Sequence, residues 1–525
     1  MSEAHDDGGQ PIRFSSTAGR WVLLAAILGS GLAGIDATVV NVALPAIGAD
    51  LQADFSTLQW TVTAYTLTLA ALILLGGSLS DRYGRRRVFV IGVIWFAVAS
   101  LCCGLAPNAE ILITARALQG VGAALLTPGS LAMIQATFHP DDRARAIGAW
   151  SGLGGVATAI GPFLGGWLVQ TVSWRWVFLI NVPLAIAVVV VAQRHVPETR
   201  DHTSTGRLDL WGAVLGAAAL AGITYALIEA PARGLLSPAV LGAAGLGVVA
   251  AGAFLLVEAR SRNPMLPLSI FSSSQFSATN AVTFLVYGAF GGVFFLLVVH
   301  LQVVAGFSPL AAGTAMLPIT VLMLLLSSRA GQLATRIGPR LPMSLGPVLC
   351  AVALLLMLRI GPDASYLTDV LPGVVVLGLG LSVLVAPLTA TALASVDSRH
   401  AGLASGVNNA VARAAALIAV ALFPALAGLS GSSYLDPVAF NEGFRTSVLI
   451  GVGVLLAGAG LAVLTIRNNV LASDAGQEYS GESSANPYSA RKASSAGNGR
   501  NSQGMSHCAV DGPPIGMSTA QHGED

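Results

Sequence analysis

Residues 58–87 read LQWTVTAYTLTLAALILLGGSLSDRYGRRR and pass from an apolar run directly into a charged loop. The apolar part, 58–79, is long enough to cross a bilayer as a helix. The loop Gly77-Ser-Leu-Ser-Asp81-Arg82-Tyr-Gly84-Arg85-Arg86 has a weaker second copy, Gly331-Gln-Leu-Ala-Thr335-Arg336-Ile-Gly338-Pro339-Arg340. Because both copies end an apolar run, they indicate an internal repeat of membrane helices.

The composition of the whole chain excludes a soluble protein. Of its 525 residues, 54% are hydrophobic and 10% are charged, whereas a soluble surface needs roughly 25–35% charged residues. The net charge is +1, and no basic cluster beyond the loops predicts a nucleic-acid partner. We therefore expect a polytopic membrane protein that binds no nucleic acid.

Residue types that hold cofactors are scarce. The single lysine, Lys492, follows Arg491, so the chain has no Gly-Lys-Ser/Thr loop for nucleotide phosphates and no lysine in an apolar run for a Schiff base. The four cysteines read as small packing residues, and only His300 of the eight histidines lies in an apolar run. We expect no metal and no cofactor.

Apolar runs predict about fourteen transmembrane helices, with errors of several residues at their ends. The two long runs at 109–169 and 402–428 are where a miscount is easiest. The runs lie near 21–43, 58–79, 88–106, 109–134, 145–169, 175–193, 208–229, 239–258, 277–302, 310–330, 341–359, 369–391, 402–428 and 445–466.

The distribution of arginine predicts the orientation. If the N-terminus is cytoplasmic, fourteen arginines fall in inside loops, and only Arg175, Arg233, Arg359 and Arg445 fall outside. Inside loops of membrane proteins carry the excess of arginine. An even number of spans then places both termini in the cytoplasm, in a multi-pass protein of the cell membrane.

The repeat divides the chain. Pairing span 2 with span 10 pairs spans 1–6 with 9–14 and leaves 7 and 8 as an inserted hairpin. The tail is rich in Ser, Gly, Asn and Gln and cannot bury enough apolar surface to order itself. We predict an all-α membrane fold with a cytoplasmic segment at 1–18, a six-helix bundle at 19–195, inserted helices 7 and 8 at 196–265, a second six-helix bundle at 266–467 and a disordered cytoplasmic tail at 468–525.

Several motifs stand in order along the first half. Span 1 ends Ile35-Asp36-Ala-Thr38-Val-Val-Asn41-Val-Ala-Leu-Pro45, and the 77–86 loop follows span 2. Span 4 reads Leu112-Ile-Thr-Ala-Arg116-Ala-Leu-Gln119-Gly120-Val-Gly122, and span 5 reads Gly161-Pro162-Phe-Leu-Gly165-Gly166. Trp174-Arg175-Trp176 and Asn181-Val-Pro183 follow.

Over residues 15–467 these motifs resemble the major facilitator superfamily, in its fourteen-span drug:proton antiporter branch. One departure is Ala157, which stands where the family has glycine. The resemblance implies two six-helix bundles that rock about a central cavity. It also implies export driven by the proton gradient, with no cofactor and no chemical change to the substrate.

Asp36 is the one acid found deep in a predicted span, and an acid there costs about 2.5–3.5 kcal/mol on insertion scales. It lies ~24 Å along the helix from Arg20, and Arg116 lies ~9 Å below Glu110 on a helix that enters from the other side. The two therefore reach similar depth. Either Asp36 binds the transported proton and Arg116 pairs with its ionised form, or the two are only a structural ion pair.

The loop after span 2 and the Gly-Pro motif of span 5 have further implied roles. By resemblance, Gly77, Asp81, Arg82, Gly84, Arg85 and Arg86 form a charge latch that closes one face of the transporter. The alternative, positive-inside anchoring, explains the arginines but not Asp81 or the paired glycines. By the same resemblance, the antiporter motif of Gly161, Pro162, Gly165 and Gly166 prevents proton leak in exporters; glycine also permits close packing and proline invites a kink.

The substrate site is less sharply predicted. Arg413 lies too deep in span 13 to reach the interface, so it either faces the cavity and attracts an anionic group or pairs with backbone carbonyls. No second deep acid occurs in spans 9–14, so a dication would lack a countercharge. The resemblance places Tyr65, Gln119, Tyr287, Phe290, Phe294, Gln302, Asn409 and Arg413 on spans that line the cavity.

We therefore predict proton-coupled export of lipophilic neutral or monocationic small molecules, with protons and membrane lipid as further partners and a periplasmic adaptor as a candidate one. The main alternative is a dedicated exporter of one metabolite or antibiotic. A proton-coupled uptake symporter is disfavoured by Gly161-Pro162. A membrane enzyme is disfavoured because the apolar runs hold no lysine, histidine cluster or acid pair.

Overall fold

The computed structural model describes residues 12–200, 208–261, 263–397 and 401–471. Fourteen helices in these ranges are long and apolar enough to cross a membrane, which confirms the predicted number. Residues 472–525 of the predicted disordered tail and most of the predicted N-terminal segment lie outside the described residues, but Asn468–Val470, which were predicted as part of that tail, form a short 3-10 helix. The helices are α1 Thr17–Leu51, α2 Phe55–Tyr83, α3 Arg85–Gly104, α4 Ala109–Thr137, α5 Pro140–Thr171, α6 Trp176–His195, α7 Leu210–Arg233, α8 Pro238–Arg260, α9 Ser274–Val303, α10 Pro309–Ile337, α11 Arg340–Met357, α12 Tyr366–Ala394, α13 Gly402–Leu426 and α14 Pro437–Thr465.

Many helices extend beyond the apolar runs that predicted them. The run at 21–43 becomes Thr17–Leu51, and the run at 445–466 begins at Pro437. Polar caps set these starts: the Ser16 hydroxyl accepts a hydrogen bond from the amide of Gly19 at 3.0 Å, and the Asp436 carboxylate accepts one from Val438 at 2.9 Å. A side-chain cap satisfies backbone amides that lack a partner within the helix, so a helix can continue into polar sequence.

The internal repeat is visible in the helix packing. In the first half α1 packs on α5, α2 and α3 pack on α4, and α3 packs on α6. The same pairs recur eight positions later: α9 on α13, α10 and α11 on α12, and α11 on α14. The inserted helices α7 and α8 pack on each other, and α7 also contacts α2 and α13.

The two halves meet most closely at one face of the membrane. We call the face where α1 begins the arginine-rich face and the opposite one the arginine-poor face. Toward the arginine-poor face the Gln59 amide donates to the carbonyl of Val420 at 2.9 Å, and the Tyr434 hydroxyl donates to that of Ala53 at 2.7 Å. One buried apolar cluster there includes residues of both halves, such as Val40 and Phe295.

Toward the arginine-rich face, one helix of the first half has few close neighbours. Added side chains at four glycines of α5 would meet no neighbouring atom within 4 Å. On the other side α2 and α13 stay together, with Leu74 against Gly406. The central space is therefore closed at the arginine-poor face. The glycines of α5 without a close neighbour are Gly148, Gly152, Gly154 and Gly155.

Candidate functional site

The carboxylate of Asp36 is completely buried at the middle of α1. Its Oδ2 lies 2.6 Å from Nη1 of Arg116. Its Oδ1 accepts hydrogen bonds from the side-chain amides of Gln119 at 2.8 Å and Asn181 at 2.9 Å. The structure thus brings the predicted pair into contact, and each of these contacts comes from a donor.

Arg116 is held in place independently of the carboxylate. Its Nε donates to the carbonyl of Thr61 at 3.0 Å, and its Nη1 also donates to Oε1 of Gln119 at 2.6 Å. The guanidinium lies over the ring of Tyr65, 4.3 Å from the centroid, with Phe178 at 5.7 Å. None of these contacts involves α1, so they hold the Arg116 guanidinium in place without the help of Asp36.

Ser100 of α3 and Asn181 of α6 complete the site, although sequence reasoning assigned neither a role in it. The Ser100 hydroxyl accepts hydrogen bonds from the amides of Gln119 at 2.6 Å and Asn181 at 3.3 Å. Asn181 follows a short helical turn, Trp176–Leu179, that begins the α6 span. The Asn181-Val-Pro183 motif was the available signal, since it carries a polar residue into an apolar run.

Arg116, Gln119 and Asn181 all present donors to the Asp36 carboxylate. A protonated carboxyl group would need an acceptor and would leave Arg116 without its counterion. Asp36 is fully buried, so it has no direct contact with solvent in this conformation. The arrangement can therefore link protonation to a conformational change.

Thr38, one half-turn beyond Asp36, compensates for the proline of the antiporter motif. Proline has no amide proton, so Pro162 leaves the carbonyl of Thr158, four residues earlier, without its helical donor. The Thr38 hydroxyl lies 3.0 Å from that carbonyl. Its other two acceptors, the carbonyls of Gly34 and Ile35, belong to its own helix.

The glycines of the antiporter motif allow α5 to contact two helices closely. A side chain at Gly161 would collide with Thr38, and one at Gly165 with Val39, both on α1. One at Gly166 would collide with the backbone of Pro309 on α10. The motif thus lies where α5 joins the Asp36 helix to the second half.

The 77–86 loop forms an ordered turn. Asp81 accepts hydrogen bonds from Nε and Nη2 of Arg85 at 3.0 and 2.9 Å. Gly84 has a φ of +106°, a conformation that favours glycine. Arg82 lies over the ring of Tyr83 at 5.5 Å, and a side chain added at Gly77 would meet Pro128 at ordinary van der Waals distance.

Glu198 was not predicted from sequence, yet it organises this turn. Its two carboxylate oxygens accept hydrogen bonds from the amides of Arg86 and Arg87, each at 3.1 Å, at the start of α3. Nε of Arg86 is 3.7 Å from Glu198. Glu198 lies three residues after the end of α6, so only the packing of α6 beside α3 reveals the contact.

A cavity of about 190 Å³ lies between the two halves. The first half contributes Asn41 of α1 and Thr63 and Thr66 of α2, and Oδ1 of Asn41 is buried without a hydrogen-bond partner among the described residues. The second half contributes mainly aromatic residues of α9 and apolar residues of α13. The lining includes Tyr287, Phe290, Phe294, Phe295 and Leu417.

Tyr287, Phe290 and Phe294 are the members of the predicted cavity set on this wall. Tyr65 packs against Arg116, and Gln119 belongs to the carboxylate site. These two lie elsewhere because the rotation of each helix, and not membership of a span, decides which side chains face the cavity.

Gln302 and Asn409 also lie off this wall. The Gln302 amide donates to the carbonyl of Val42 at 3.1 Å and joins α9 to α1. Asn409 is exposed and donates to the carbonyl of Ser405, one turn back on α13.

Arg413 lies on α13 near Tyr65 of the first half and Tyr287 of the cavity wall. Its Nε is buried with no hydrogen-bond partner in the described part of the chain.

The Trp174-Arg175-Trp176 motif has a separate, structural position. The Trp174 indole and Nη1 of Arg175 both donate to Oδ2 of Asp50, at 3.0 and 2.6 Å. The Arg175 guanidinium also lies 4.4 Å from the Trp174 ring centroid. These contacts tie the last turn of α1 to the start of α6.

Known proteins resemble this chain in sequence. Residues 26–420 match the Major Facilitator Superfamily. A puromycin resistance protein of Streptomyces alboniger is 35% identical, covering 90% of this chain and 97% of the relative. A methylenomycin A resistance protein of Bacillus subtilis is 36% identical over 80% and 90% of the two chains. The multidrug efflux pump LfrA of Mycolicibacterium smegmatis is 36% identical over 79% and 82%.

Solved transporters share the fold at low identity. A bacterial homologue of the human lysosomal transporter Spinster, in an inward-facing and occupied conformation, gives a TM-score of 0.61 at 17% identity, over 86% of this chain and 97% of its own. The peptide transporter POT in complex with sulfate gives 0.61 at 13% identity, over 87% and 98%. With the sequence match over most of its length and this shared fold, the chain belongs to the Major Facilitator Superfamily.

Proposed function

We propose that the protein exports lipophilic small molecules across the cell membrane in exchange for protons, by alternating access of its central cavity to the two faces. Membership of a transporter superfamily makes it a transporter and not an enzyme. The observation that carries the proton part is the fully buried Asp36–Arg116 pair.

The direction of transport is supported by the relatives. Two are named for resistance to an antibiotic, and a third is named a multidrug efflux pump. Resistance by a membrane transporter is explained most simply by removal of the compound from the cell. The arginine distribution supports cytoplasmic termini and an arginine-rich face on the cytoplasmic side.

The contacts of Asp36 support proton coupling. Protonation removes the charge that holds α1 to Arg116, and loss of the proton restores it. If the two states of the pair favour opposite openings, each cycle carries a proton inward. A proton that moves through 100 mV releases ~2.3 kcal/mol, which supports a roughly fifty-fold gradient of a neutral substrate.

The cavity supports a neutral, partly aromatic substrate. Its wall combines aromatic rings with the free Oδ1 of Asn41 and carries no carboxylate in the described residues. Arg413 adds a positive charge near the cavity, which disfavours a cation. Of the two predicted substrate classes, neutral molecules are therefore better supported than monocations. The volume of about 190 Å³ is below the roughly 300–1,000 Å³ of drug-sized sites, so a substrate must enter as the halves move apart.

The predicted latch in the 77–86 loop gains a residue from outside the motif, Glu198. We assign Asp81 and Arg85 to holding the loop turn, and Glu198 to joining that turn to the end of α6. A rigid turn of this kind can transmit movement of α2 to α3.

Export is tested by uptake into everted vesicles with a panel of unrelated lipophilic antibiotics. We expect energised vesicles to accumulate several neutral members, and Phe294→Ala to change the order of preference because it removes a cavity wall. Phe284→Ala is the control, since Phe284 is 42% exposed on the same helix. Accumulation of one compound only would favour the dedicated exporter, and no uptake at all by folded protein would refute export.

A further inference from the structure

The second half contains a cavity of about 670 Å³ at the arginine-rich face, away from the substrate cavity. It lies between the starts of α9 and α11 and the residues that follow α14. Two arginines, Arg340 and Arg467, contribute to its wall, and both are exposed. Neither forms a salt bridge with an acidic residue in the ranges that the structure describes.

The internal repeat supplies a direct comparison. In the first half, Glu198 lies three residues after the end of α6, caps the start of α3 and lies near the Arg86 guanidinium. In the second half, Asn468 lies three residues after the end of α14, and its Oδ1 accepts the Arg340 amide at 3.2 Å. The capping position is therefore the same, but the carboxylate has become a neutral amide.

The charge balance of the two capping positions consequently differs. Arg86 has Glu198 beside it, whereas Arg340 has Asn468 and lies in the same cavity wall as a second arginine. Two guanidinium groups around one cavity, with no carboxylate among the described residues of its wall, present a site for an external anion. Arginine binds phosphate groups through paired, charge-assisted hydrogen bonds.

The remaining wall indicates where that anion comes from. Leu464, in the last turn of α14, lines the cavity and is 83% exposed, and Leu341 beside Arg340 is 58% exposed. These apolar side chains continue the lipid-facing surface of the helices up to the arginines. Basic pockets at a membrane face accept the head groups of anionic lipids.

We propose that this cavity binds the phosphodiester head group of an anionic phospholipid from the leaflet at the arginine-rich face. Arg340 and Arg467 contact the phosphate, and the acyl chains lie along Leu464 and Leu341. The site is separate from the substrate cavity and does not depend on the proposed export function.

Native mass spectrometry of the full-length protein with added phosphatidylglycerol or phosphatidylcholine tests this proposal. We expect the wild type to retain one phosphatidylglycerol. Arg340→Gln/Arg467→Gln should bind it at least about tenfold more weakly, because two charge-assisted contacts are lost. Arg194→Gln/Arg260→Gln, which removes two exposed arginines from the same face outside the cavity, should bind as the wild type does.

Asn468→Asp gives a second test that removes no arginine. It introduces the carboxylate that the first half has, so it should weaken phosphatidylglycerol binding while keeping the cap on α11. Equal binding by wild type, Arg340→Gln/Arg467→Gln and Asn468→Asp would overturn the proposal. Displacement of the lipid by millimolar inorganic phosphate would also overturn it, because the site would then bind a free anion.

Discussion

The free-energy cost of proton coupling is set by Asp36 and its ion pair with Arg116. Removing one partner of a buried ion pair costs about 3–5 kcal/mol, more than the ~2.3 kcal/mol that one proton supplies at 100 mV. The proton gradient can therefore drive protonation of Asp36 only if the Arg116 guanidinium keeps other partners. It already binds the Thr61 carbonyl and Oε1 of Gln119 and stacks on Tyr65, so the guanidinium is not left isolated.

Thr38 gives a prediction at the same scale. Thr38→Val removes the hydroxyl that reaches the partly buried Thr158 carbonyl and should lower stability by about 1 kcal/mol, the net contribution of one hydrogen bond. Thr38→Ser keeps the hydroxyl and should melt close to the wild type. Thermal unfolding of the purified proteins measures the difference.

Pro162→Ala provides the control for this interpretation. An alanine at position 162 supplies the missing amide to Thr158, so Thr38→Val should cost little in that background. If Thr38→Val is equally destabilising with proline and with alanine at 162, the hydroxyl does not compensate for the proline.

At the scale of helices, the inserted pair α7–α8 bridges the two halves. α7 contacts α2 of the first half and α13 of the second, along the side where the halves stay together. The Trp60 indole of α2 donates to Oε1 of Glu229 at 3.2 Å, and Glu229 also pairs with Arg233 at 2.7 Å. The hairpin therefore contacts both helices of the α2–α13 pair and can restrain their separation.

Trp60→Phe tests this role of the hairpin. Loss of one hydrogen bond of about 1 kcal/mol should raise hydrogen exchange at the end of α7 about fivefold. Trp211→Phe changes the same residue type at the other end of α7, where the side chain is 73% exposed, and should have no effect there. Equal exchange in the two variants would show that Glu229 is not an anchor.

At the scale of the whole molecule, closure of the arginine-poor face depends on contacts between the halves. The Tyr434 hydroxyl donates to the Ala53 carbonyl across this contact. Burial raises the pKa of Tyr434, so its hydroxyl remains a donor at neutral and mildly alkaline pH.

Tyr434→Phe should therefore shift the population toward opening at that face. The loss of about 1 kcal/mol corresponds to about a fivefold change in the ratio of states. Tyr366→Phe is the matched control, because its hydroxyl donates to the Ala315 carbonyl within the second half. Distances between spin labels on the arginine-poor ends of the two halves measure the shift; no change in Tyr434→Phe, or an equal change in both variants, would contradict this account of closure.

The fold could be predicted from sequence because bilayer thickness fixes the length of an apolar run and the repeated loop fixes the pairing of the halves. The Asp36–Arg116 contact could be predicted because the rise of a helix converts residue counts into depth. Helix rotation cannot be counted in this way. Tyr65 and Gln302 were therefore assigned to a cavity wall that they do not form in this conformation.

Contacts between residues that are far apart in the chain could not be predicted from the sequence either. The Thr38–Thr158 and Glu198–Arg86 hydrogen bonds join residues 120 and 112 positions apart. Nothing local marks either partner, because threonine and glutamate at such positions satisfy ordinary local patterns equally well.

We propose above all that Asp36 binds the proton that moves inward while the substrate is exported. Substrate-triggered proton release from acidified everted vesicles tests it, with wild type, Asp36→Asn and the doubly neutral Asp36→Asn/Arg116→Gln, which avoids an unpaired buried cation. Asp50→Asn is the control, since it removes an ion pair from the same helix at the arginine-poor face. We predict proton release by wild type and Asp50→Asn and none by either Asp36 variant; release that survives in folded Asp36→Asn would reduce the buried pair to a structural contact.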